Sequence, residues 1–350
     1  MMPPKLAEIE TLAVRCPNWV GDIVMATPMF DCLRANLPRA KIIGLLKRSA
    51  RGIVNDGPWF DGLVDGNDKS WADVRRMREQ LRAWSPGAAI LLTNSVRSAL
   101  TIRLSGVRAL YGYRRQWRDL LLAGGPTPAR NGQGVVPRPM IEYYLDICRW
   151  LGFDVPEHPR PKLYIGQELR RRGDAMLQKY GIAENDFLVG MNPGASFGSS
   201  KCWPAEYFAD LAGLCRRNLN AKVILFGGPG EEEILQAIRD GAQADVIDTR
   251  PDGINLEMLK PMVKRCNLFI TNDTGPRHYA VAFDVPAVVI MGPTDPRYTN
   301  ANLERTVVVR KDLDCSPCHK KVCPQGHECM REIGPVEVFT AAERLLNACR

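Results

Sequence analysis

The stretch CNLFITNDTGPRHYAVAFDVPAVVIMGPTDP, residues 266–296, decides the fold of this chain. Residues 268–270 are an apolar run that predicts a buried strand, and residues 285–291 predict a second one. Between them lie a polar turn, residues 271–275, and Pro276, which suits the first turn of a helix. Strand, turn, helix and strand make a βαβ unit, the building block of parallel α/β sheets.

The polar turn of this unit is the first candidate for a ligand site. Asp273, Thr274 and Gly275 follow a strand's carboxyl end, where ligands of such sheets bind, and His278 lies one helical turn further on. A helix amino terminus also presents free N–H groups to an anion. A helix merely capped by Asp273 or Thr274 is the alternative without a ligand. The combination of four such residue types favours a site.

The length of 350 residues predicts two domains. Strand and helix patterns alternate on both sides of a proline-rich linker at residues 157–166, so both domains are expected to be α/β with parallel sheets. The boundary is expected between domains 1–165 and 166–350.

The net charge of +8 is confined to one half of the chain. Residues 1–165 contain 24 Lys and Arg against 15 Asp and Glu, a net of +9, whereas residues 166–350 contain 23 against 24, a net of −1. A basic half favours an acidic partner such as nucleic acid, an anionic membrane surface or a phosphorylated substrate. A solvated basic surface remains the alternative.

No apolar run predicts a membrane-spanning helix, and the first residues lack the pattern of a signal peptide. We therefore expect a cytoplasmic protein whose eleven cysteines are mostly reduced.

A carboxylate follows the first predicted strand, residues 11–16. Asp22 lies in the turn between this strand and a helix expected at residues 23–37, with Pro28 early in that helix. A carboxylate at this edge of the sheet could act as a general base. Capping of the helix is the simpler interpretation, and spacing alone favours it.

The loop after the second domain's first strand has the composition of a phosphate site. Asn192, Ser196 and Lys201 lie among small residues ahead of a helix, so backbone amides, a hydroxyl and a charge could surround a phosphate. Neither G-x-x-x-x-G-K-[ST] nor G-x-G-x-x-G is present. Glu231, after a Gly-Gly-Pro turn, could accept hydrogen bonds from ribose hydroxyls, or could simply begin an acidic helix.

Four cysteines cluster near the carboxyl end, with His319 and His327 among them. Thiolates and imidazoles at this density could hold a structural zinc, but the paired spacing of zinc ribbons is absent. A reduced, buried cysteine-rich flap is favoured over the zinc site. The four cysteines are Cys315, Cys318, Cys323 and Cys329.

Several short motifs, taken together and in order, resemble those of glycosyltransferase family 9. Each motif is weak alone, but the ordered combination covers nearly the whole chain and is specific. The MGPTDP motif and the cysteine cluster make the match more specific still. The motifs are NWVGD at 18–22 with TP at 27–28, NPGA at 192–195, K-x-W-P at 201–204, GGP at 227–229 with Glu231, NDTG-x-x-H at 272–278 and MGPTDP at 291–296.

The resemblance implies a GT-B fold, with two Rossmann-like, doubly wound parallel-sheet domains facing a central cleft. The first domain would bind the acceptor and the second an ADP-heptose donor, and the terminal helix could pack back on the first domain. Transfer would be a single displacement with inversion, with Asp22 as the general base. No metal is required for chemistry in this family.

The resemblance also implies residue roles on the donor side. Lys201, Ser196 and the amides near Thr274 and Gly275 would stabilise the charge growing on ADP. The remaining donor-binding residues would be Glu231 at the ribose, Asp273 at the heptose, and Asn192 and His278 nearby.

The acceptor implied by the resemblance is a phosphorylated, Kdo-bearing lipid A core at the cytoplasmic face of the inner membrane. This strongly anionic partner gives the basic half a purpose, and it implies peripheral contact with the membrane. The candidate acceptor-binding residues are Arg97, Arg114, Arg115 and Arg118.

Three alternatives remain at this point. Another family 9 enzyme with a different core acceptor would share the donor motifs. A nucleotide-sugar 2-epimerase would leave the basic half unexplained. A zinc-containing nucleic-acid-binding protein would explain the cysteines and the basic surface, but would leave Lys201 and the NDTG-x-x-H motif without a purpose.

Overall fold

The computed structural model describes residues 9–115, 117–132 and 134–349. It divides the chain into two compact units. The first contains the residues up to Lys162 together with Arg297–Thr299, and the second contains Leu163–Pro296 and Asn300 onwards. The main division therefore falls after residue 162, slightly before the boundary expected from the linker.

The amino-terminal unit is built on a five-stranded parallel sheet in the order β3-β2-β1-β4-β5. Chain order reverses direction between β1 and β4, and open α/β sheets bind ligands at such a switch point. The strands are β1 (Thr11–Arg15), β2 (Lys41–Leu46), β3 (Gly62–Asp65), β4 (Ala88–Leu91) and β5 (Ala109–Gly112), and a short antiparallel pair follows, β6 (Arg130–Asn131) and β7 (Gly134–Val135).

Two helices replace the single helix expected at residues 23–37, because the chain breaks at Ala26. Pro28 lacks an N–H group and suits a helix start, so it lies in the first turn of α2. Thr27 Oγ1 donates to Val24 O at 2.8 Å and steadies the break. The helices of this unit are α1 (Val20–Met25), α2 (Thr27–Asn36), α3 (Arg51–Val54), α4 (Trp71–Trp84), α5 (Val96–Leu104) and α6 (Met140–Trp150).

The carboxy-terminal unit has a six-stranded parallel sheet in the order β10-β9-β8-β11-β12-β13, so its switch point lies between β8 and β11. Its strands are β8 (Leu188–Asn192), β9 (Lys222–Leu225), β10 (Val246–Asp248), β11 (Leu268–Asn272), β12 (Ala287–Ile290) and β13 (Thr306–Val309). Its helices are α7 (Gln167–Lys179), α8 (Ala205–Leu219), α9 (Glu232–Gly241), α10 (Leu259–Arg265), α11 (Arg277–Ala282), α12 (Glu328–Arg331) and α13 (Pro335–Ala348).

The terminal helix, α13, packs within the carboxy-terminal unit. It contacts α8, β12 and β13, and Val338, Ala342 and Leu345 join the core that includes the central strands. These residues recur at intervals of four and three, so they form one apolar stripe. The apolar stripe is buried within this unit, and the expectation that the helix also packs on the first domain stays a prediction.

Two general features of the structure concern its cysteines and the apolar character of its helices. All eleven cysteines are free thiols. Among the described helices, none combines the length and the apolar character that crossing a bilayer requires.

Replacing Ile270 by Ala should destabilise the carboxy-terminal unit by about 2–5 kcal/mol, because it leaves a cavity in the central strand β11. Ile270 is fully buried there. Urea unfolding followed by circular dichroism measures the loss. Val336→Ala, at an exposed position of α13, is the control and should change stability by less than about 0.5 kcal/mol. Equal stabilities of the two variants would contradict this packing.

Candidate active site

The loops that follow β8 and β11 lie side by side at the switch point of the carboxy-terminal sheet, since Thr271 pairs with Asn192 in the ladder. Side-chain amides join the two loops. Asn192 Nδ2 donates to Thr274 Oγ1 at 3.3 Å, and Asn272 Nδ2 donates to Pro193 O at 2.6 Å. The NPGA and NDTG motifs therefore form one structure.

The centre of this structure is the carboxylate of Asp273, which is buried. It accepts hydrogen bonds from Arg277 Nη1 at 2.7 Å, Lys201 Nζ at 3.0 Å and Thr294 Oγ1 at 2.6 Å. Burial alone would raise the pKa of Asp273, but Arg277 and then Lys201 hold it well below its usual range. Asp273 is thus ionised at neutral pH. We call these four residues the Asp273 cluster.

The Asp273 cluster carries two cations and one anion, so one positive charge is left over. His278 follows Arg277 and is buried beside them. Burial, and then the charge of Arg277, lower the pKa of His278 to about 3, so its imidazole is neutral at neutral pH. The surplus charge therefore resides on Lys201 and Arg277, and it suits an anionic ligand.

Lys201 ends a short 3-10 turn, Ser199–Lys201. Its ammonium also donates to Asp273 O at 2.8 Å and lies 5.2 Å from the centre of the Phe197 ring. Ser196, in the same loop, is exposed and makes no contact with the Asp273 cluster among the described hydrogen bonds. The loop therefore brings Lys201 to the β11 turn and leaves Ser196 at its surface.

Glu231 lies against the loop that follows β8. Its Oε2 accepts a hydrogen bond from Gly228 N at 2.7 Å, and a Cβ at Gly194 would come within 2.0 Å of the Glu231 carboxylate. Position 194 can therefore only be glycine while Glu231 keeps this place. Burial raises the pKa of Glu231. The carboxylate stays close to the strand ends, where it can accept hydrogen bonds from a ligand.

A cysteine-rich segment, residues 313–331, supports the loop of Lys201. Ser200 N donates to Lys321 O at 3.1 Å, Ser200 Oγ donates to Lys320 O, and His327 Nε2 lies 2.6 Å from Ser200 O. Gly198 comes so close to this segment that a Cβ there would lie 2.2 Å from Lys321 O. The segment fixes the loop's position.

The same segment holds the turn that carries Thr294. Ser316 Oγ donates to Gly292 O at 2.6 Å, and the amides of Cys318 and His319 donate to Pro293 O at 3.1 and 2.8 Å. Lys201 and Thr294 both donate hydrogen bonds to Asp273. The cysteine-rich segment therefore supports two of the three residues that pair with Asp273.

The four clustered cysteines line one cavity of about 190 Å³ together with His327. Cys315 is exposed, Cys318 and Cys323 are half-buried, and only Cys329 is buried. The expected buried flap is therefore wrong for three of the four. Within residues 9–115, 117–132 and 134–349, no group of three or more His, Cys, Asp or Glu side chains is arranged to hold a metal ion, so the zinc alternative finds no ligand set there.

Asp22 lies in the amino-terminal unit, in the first turn of α1 and half-buried. Its Oδ1 accepts a hydrogen bond from Tyr144 Oη at 3.1 Å. Burial and then the Asp22 carboxylate raise the pKa of Tyr144 well above its ordinary value, so the phenol remains a donor. Tyr144 thereby fixes one oxygen of Asp22 at the carboxyl edge of β1, beside the switch point.

The four candidate arginines of this unit differ in burial. Arg97 and Arg114 are exposed, and Arg115 is half-buried with Nη1 3.5 Å from Tyr143 Oη. Arg118 is fully buried, and its guanidinium donates to Tyr113 O, Thr93 O and Asn94 Oδ1. Burial lowers the pKa of Arg118 to about 10. Arg118 fixes the chain after β5 and does not present its charge to solvent.

Sequence reasoning missed two members of the Asp273 cluster. Arg277 occupies an unassigned position of NDTG-x-x-H, and its spacing of four from Asp273 was the available signal. Thr294 was quoted within MGPTDP without a role, and no local pattern links it to Asp273. The structure also shows that Lys201 pairs directly with Asp273.

Comparison with known proteins gives a matching family and similar proteins. The model of Glycosyltransferase family 9 (heptosyltransferase) matches residues 74–328. Lipooligosaccharide heptosyltransferase 2 of Campylobacter jejuni is 36% identical over 339 residues, which are 95% of this chain and 98% of that protein.

Two solved structures share the fold. ADP-heptose lps heptosyltransferase II of Escherichia coli has a TM-score of 0.77 and 23% identity, covering 96% of this chain and 98% of that one. Escherichia coli heptosyltransferase WaaC, solved with ADP-2-deoxy-2-fluoro heptose, has a TM-score of 0.72 and 18% identity, covering 95% and 99%. These two structures confirm the expected GT-B fold class. The match of the family model and of the Campylobacter jejuni relative confirms the family resemblance.

Because the pKa of His278 is low only when the protein is folded, acid should destabilise the native state. The unfolded histidine takes up a proton near pH 6.5, whereas the folded one does so only near 3. Stability is therefore complete above pH 6.5 and falls progressively below it. From pH 7 to pH 5 the loss from His278 is about 2 kcal/mol.

The test compares urea unfolding of the wild type and of His278→Gln at both pH values. Glutamine stays neutral, so the variant should lose about 2 kcal/mol less than the wild type on acidification. Equal losses would show that His278 is not held neutral by its surroundings.

Proposed function

This chain belongs to glycosyltransferase family 9 (heptosyltransferase), and we propose that it transfers the heptose of ADP-heptose to a heptosyl-Kdo2-lipid A acceptor, with inversion, in lipopolysaccharide inner-core biosynthesis. The observation that supports this most directly is the Asp273 cluster at the switch point of the carboxy-terminal sheet. It offers a surplus positive charge, as a nucleoside diphosphate requires, beside a buried carboxylate that can accept bonds from sugar hydroxyls.

In this proposal the diphosphate of the donor lies against Lys201. A flexible lysine would lose conformational freedom when the diphosphate binds. Lys201 is already held in place by Asp273 and by the braced loop. A preorganised charge stabilises the growing negative charge on ADP without further reorganisation. Ser196 and the amides near Thr274 and Gly275 add neutral donors. Asn192 orients Thr274 for this purpose.

The two carboxylates of the donor site take the two sugars. Glu231 accepts hydrogen bonds from the ribose, because it lies where the turn after β9 meets the next helix, beside Gly194 of the loop that follows β8. Asp273 accepts a hydrogen bond from the heptose through the one lone pair that its three protein donors leave open. His278 contributes a neutral imidazole beside Arg277.

Asp22 is the proposed general base. Its carboxylate takes the proton of the acceptor hydroxyl as that oxygen attacks the anomeric carbon of the heptose. The bond between this carbon and the ADP oxygen breaks on the opposite face, so the configuration inverts and ADP leaves with the electron pair. Tyr144 donates a hydrogen bond to one oxygen of Asp22 and so helps to orient the carboxylate.

The acceptor's phosphates and Kdo carboxylates are proposed to meet Arg97, Arg114 and Arg115, which are at least partly accessible. Arg118 supports this region from within by holding the carbonyls of Thr93 and Tyr113. The proposal places the protein at the cytoplasmic face of the inner membrane, where a lipid-borne acceptor is presented. No metal is proposed for the reaction.

Isothermal titration calorimetry with ADP tests the donor site. Replacing Lys201 by Ala removes a charge-assisted contact worth about 1.5–3 kcal/mol, so the Kd for ADP should rise by about tenfold or more. Lys311→Ala is the matched control, because Lys311 pairs with Glu337 on the surface. An unchanged Kd in Lys201→Ala, or tighter binding of UDP than of ADP by the wild type, would contradict the proposed donor.

Replacing Asp22 by Asn should lower kcat for heptose transfer by about 10²- to 10⁴-fold, because the amide accepts Tyr144 but takes up no proton. The Kd for ADP should stay at the wild-type value, since Asp22 belongs to the other unit. Transfer rates and calorimetry of the same preparation separate the two effects. A kcat near that of the wild type would rule out Asp22 as the base.

A further inference from the structure

Helix α5 exposes a stripe of large apolar side chains. Val96, Leu100 and Leu104 are spaced by four residues, so they lie on one face, and all three are exposed. The opposite face of the helix is buried, because Ala99 and Ile102 join the core of the amino-terminal unit. A single exposed apolar side chain needs no explanation, but three large apolar side chains in one row on a short helix do.

A second exposed apolar element lies next to α5. The 3-10 turn Arg118–Leu121 contacts α5, and Trp117 and Leu120 within this region are 91% and 93% exposed. The buried Arg118 anchors the turn between them. The turn is thus held in place by Arg118 while it exposes the large apolar side chains of Trp117 and Leu120 to solvent.

Trp117 adds strain to exposure. Its φ of 64° places a bulky residue in the left-handed region, which is unfavourable for any residue with a Cβ atom. No burial of the indole offsets this cost, since the side chain is almost entirely exposed. Such a combination points to a role of the side chain outside the fold.

The surroundings of these residues are basic. Residues 96–121 contain six arginines against one aspartate, a net charge of +5. Arg103 and Arg108 are exposed like Arg97 and Arg114, and only Arg118 is buried. Apolar side chains among arginines are typical of surfaces that insert into the interface of an anionic membrane.

We propose that α5 and the turn after β5 dock the protein on an anionic lipid leaflet through the α5 face, defined as Val96, Leu100, Leu104, Trp117 and Leu120. The inference rests on the proposed function only for its purpose, because a lipid-borne acceptor must be reached. α5 begins at the carboxyl end of β4, beside the β1 end that carries Asp22. Docking therefore presents the acceptor edge of this unit to the lipid surface.

Other occupants fit these observations less well. A second copy related by a two-fold axis would bring two surfaces of charge +5 together, and like charges oppose such contact. A nucleic acid would use the arginines but would leave Val96, Leu100 and Leu104 in water. An anionic bilayer satisfies both the charge and the apolar side chains.

Vesicle sedimentation measures the docking without any substrate. The wild type should bind phosphatidylglycerol–phosphatidylcholine vesicles at least about tenfold better than pure phosphatidylcholine vesicles, and added salt should weaken the binding. Equal binding to both vesicle types, or binding to neither, would overturn the proposal.

Two double variants separate the apolar and the charge contributions. Trp117→Ser with Leu120→Ser, and Arg103→Glu with Arg108→Glu, should each reduce binding to the anionic vesicles by at least about tenfold. Val336→Ser and Arg217→Glu, at exposed positions of the other unit, are the matched controls and should bind like the wild type. Wild-type binding by both double variants would also overturn it.

Two further readouts separate this proposal from the proposed function. Both double variants should keep the wild-type Kd for ADP and the wild-type rate with a deacylated, water-soluble acceptor, and should lose rate only with an acceptor embedded in vesicles. Failure of transfer by the wild type, with intact vesicle binding, would contradict the function and leave the docking surface supported. A dimeric wild type and monomeric Trp117→Ser/Leu120→Ser variant in light scattering would assign the α5 face to self-association and overturn docking.

Discussion

The pairing of the buried Asp273 carboxylate is the interaction on which the candidate site of the carboxy-terminal unit depends. A buried carboxylate is costly unless it is paired, and Asp273 is paired three times over, with Arg277, Lys201 and Thr294. Each partner comes from a different part of the chain. Forming this cluster therefore fixes the β11 turn, the loop after β8 and the turn after β12 at once, and it leaves a surplus positive charge at the switch point of the sheet.

The two units share a switch point in their parallel sheets but place different residues there. In each sheet the chain reverses direction beside its first strand, and polar side chains collect at that point. The carboxy-terminal unit places cations there and holds His278 neutral, so it favours an anion. The amino-terminal unit places Asp22 there with a phenol as its partner. One edge is thus cationic, and the other presents a carboxylate.

Much of this arrangement could be predicted from the sequence, because alternating apolar runs and polar turns specify parallel strands and place turn residues at one edge. The parallel sheets follow from that pattern. The joined NPGA and NDTG loops depend on the strand order that brings β8 beside β11, which the pattern does not specify, and only the resemblance placed Lys201 near Thr274 and Gly275. Arg277 could not be predicted with the same ease. A pair spaced by four residues is common on exposed helix faces, and only the fold buries this one.

Tertiary contacts also explain the other differences. The arginines between residues 97 and 118 look alike in sequence, but Arg118 alone meets the carbonyls of Thr93 and Tyr113, which come from two strand ends. The bracing of Lys201 and Thr294 by the cysteine-rich segment joins residues far apart in the chain. The cysteines themselves suggested metal binding, whereas the described hydrogen bonds from this segment to the site are made by its backbone, Ser316 and His327.

The central claim is that a heptose passes from ADP to a lipid A core acceptor at these two edges. The most direct measurement is ADP release by the wild type from ADP-heptose, with and without heptosyl-Kdo2-lipid A, together with the anomeric configuration of the product. The account predicts release that depends on the acceptor and yields a product of inverted configuration. Retention of configuration, or no acceptor-dependent release, would contradict it.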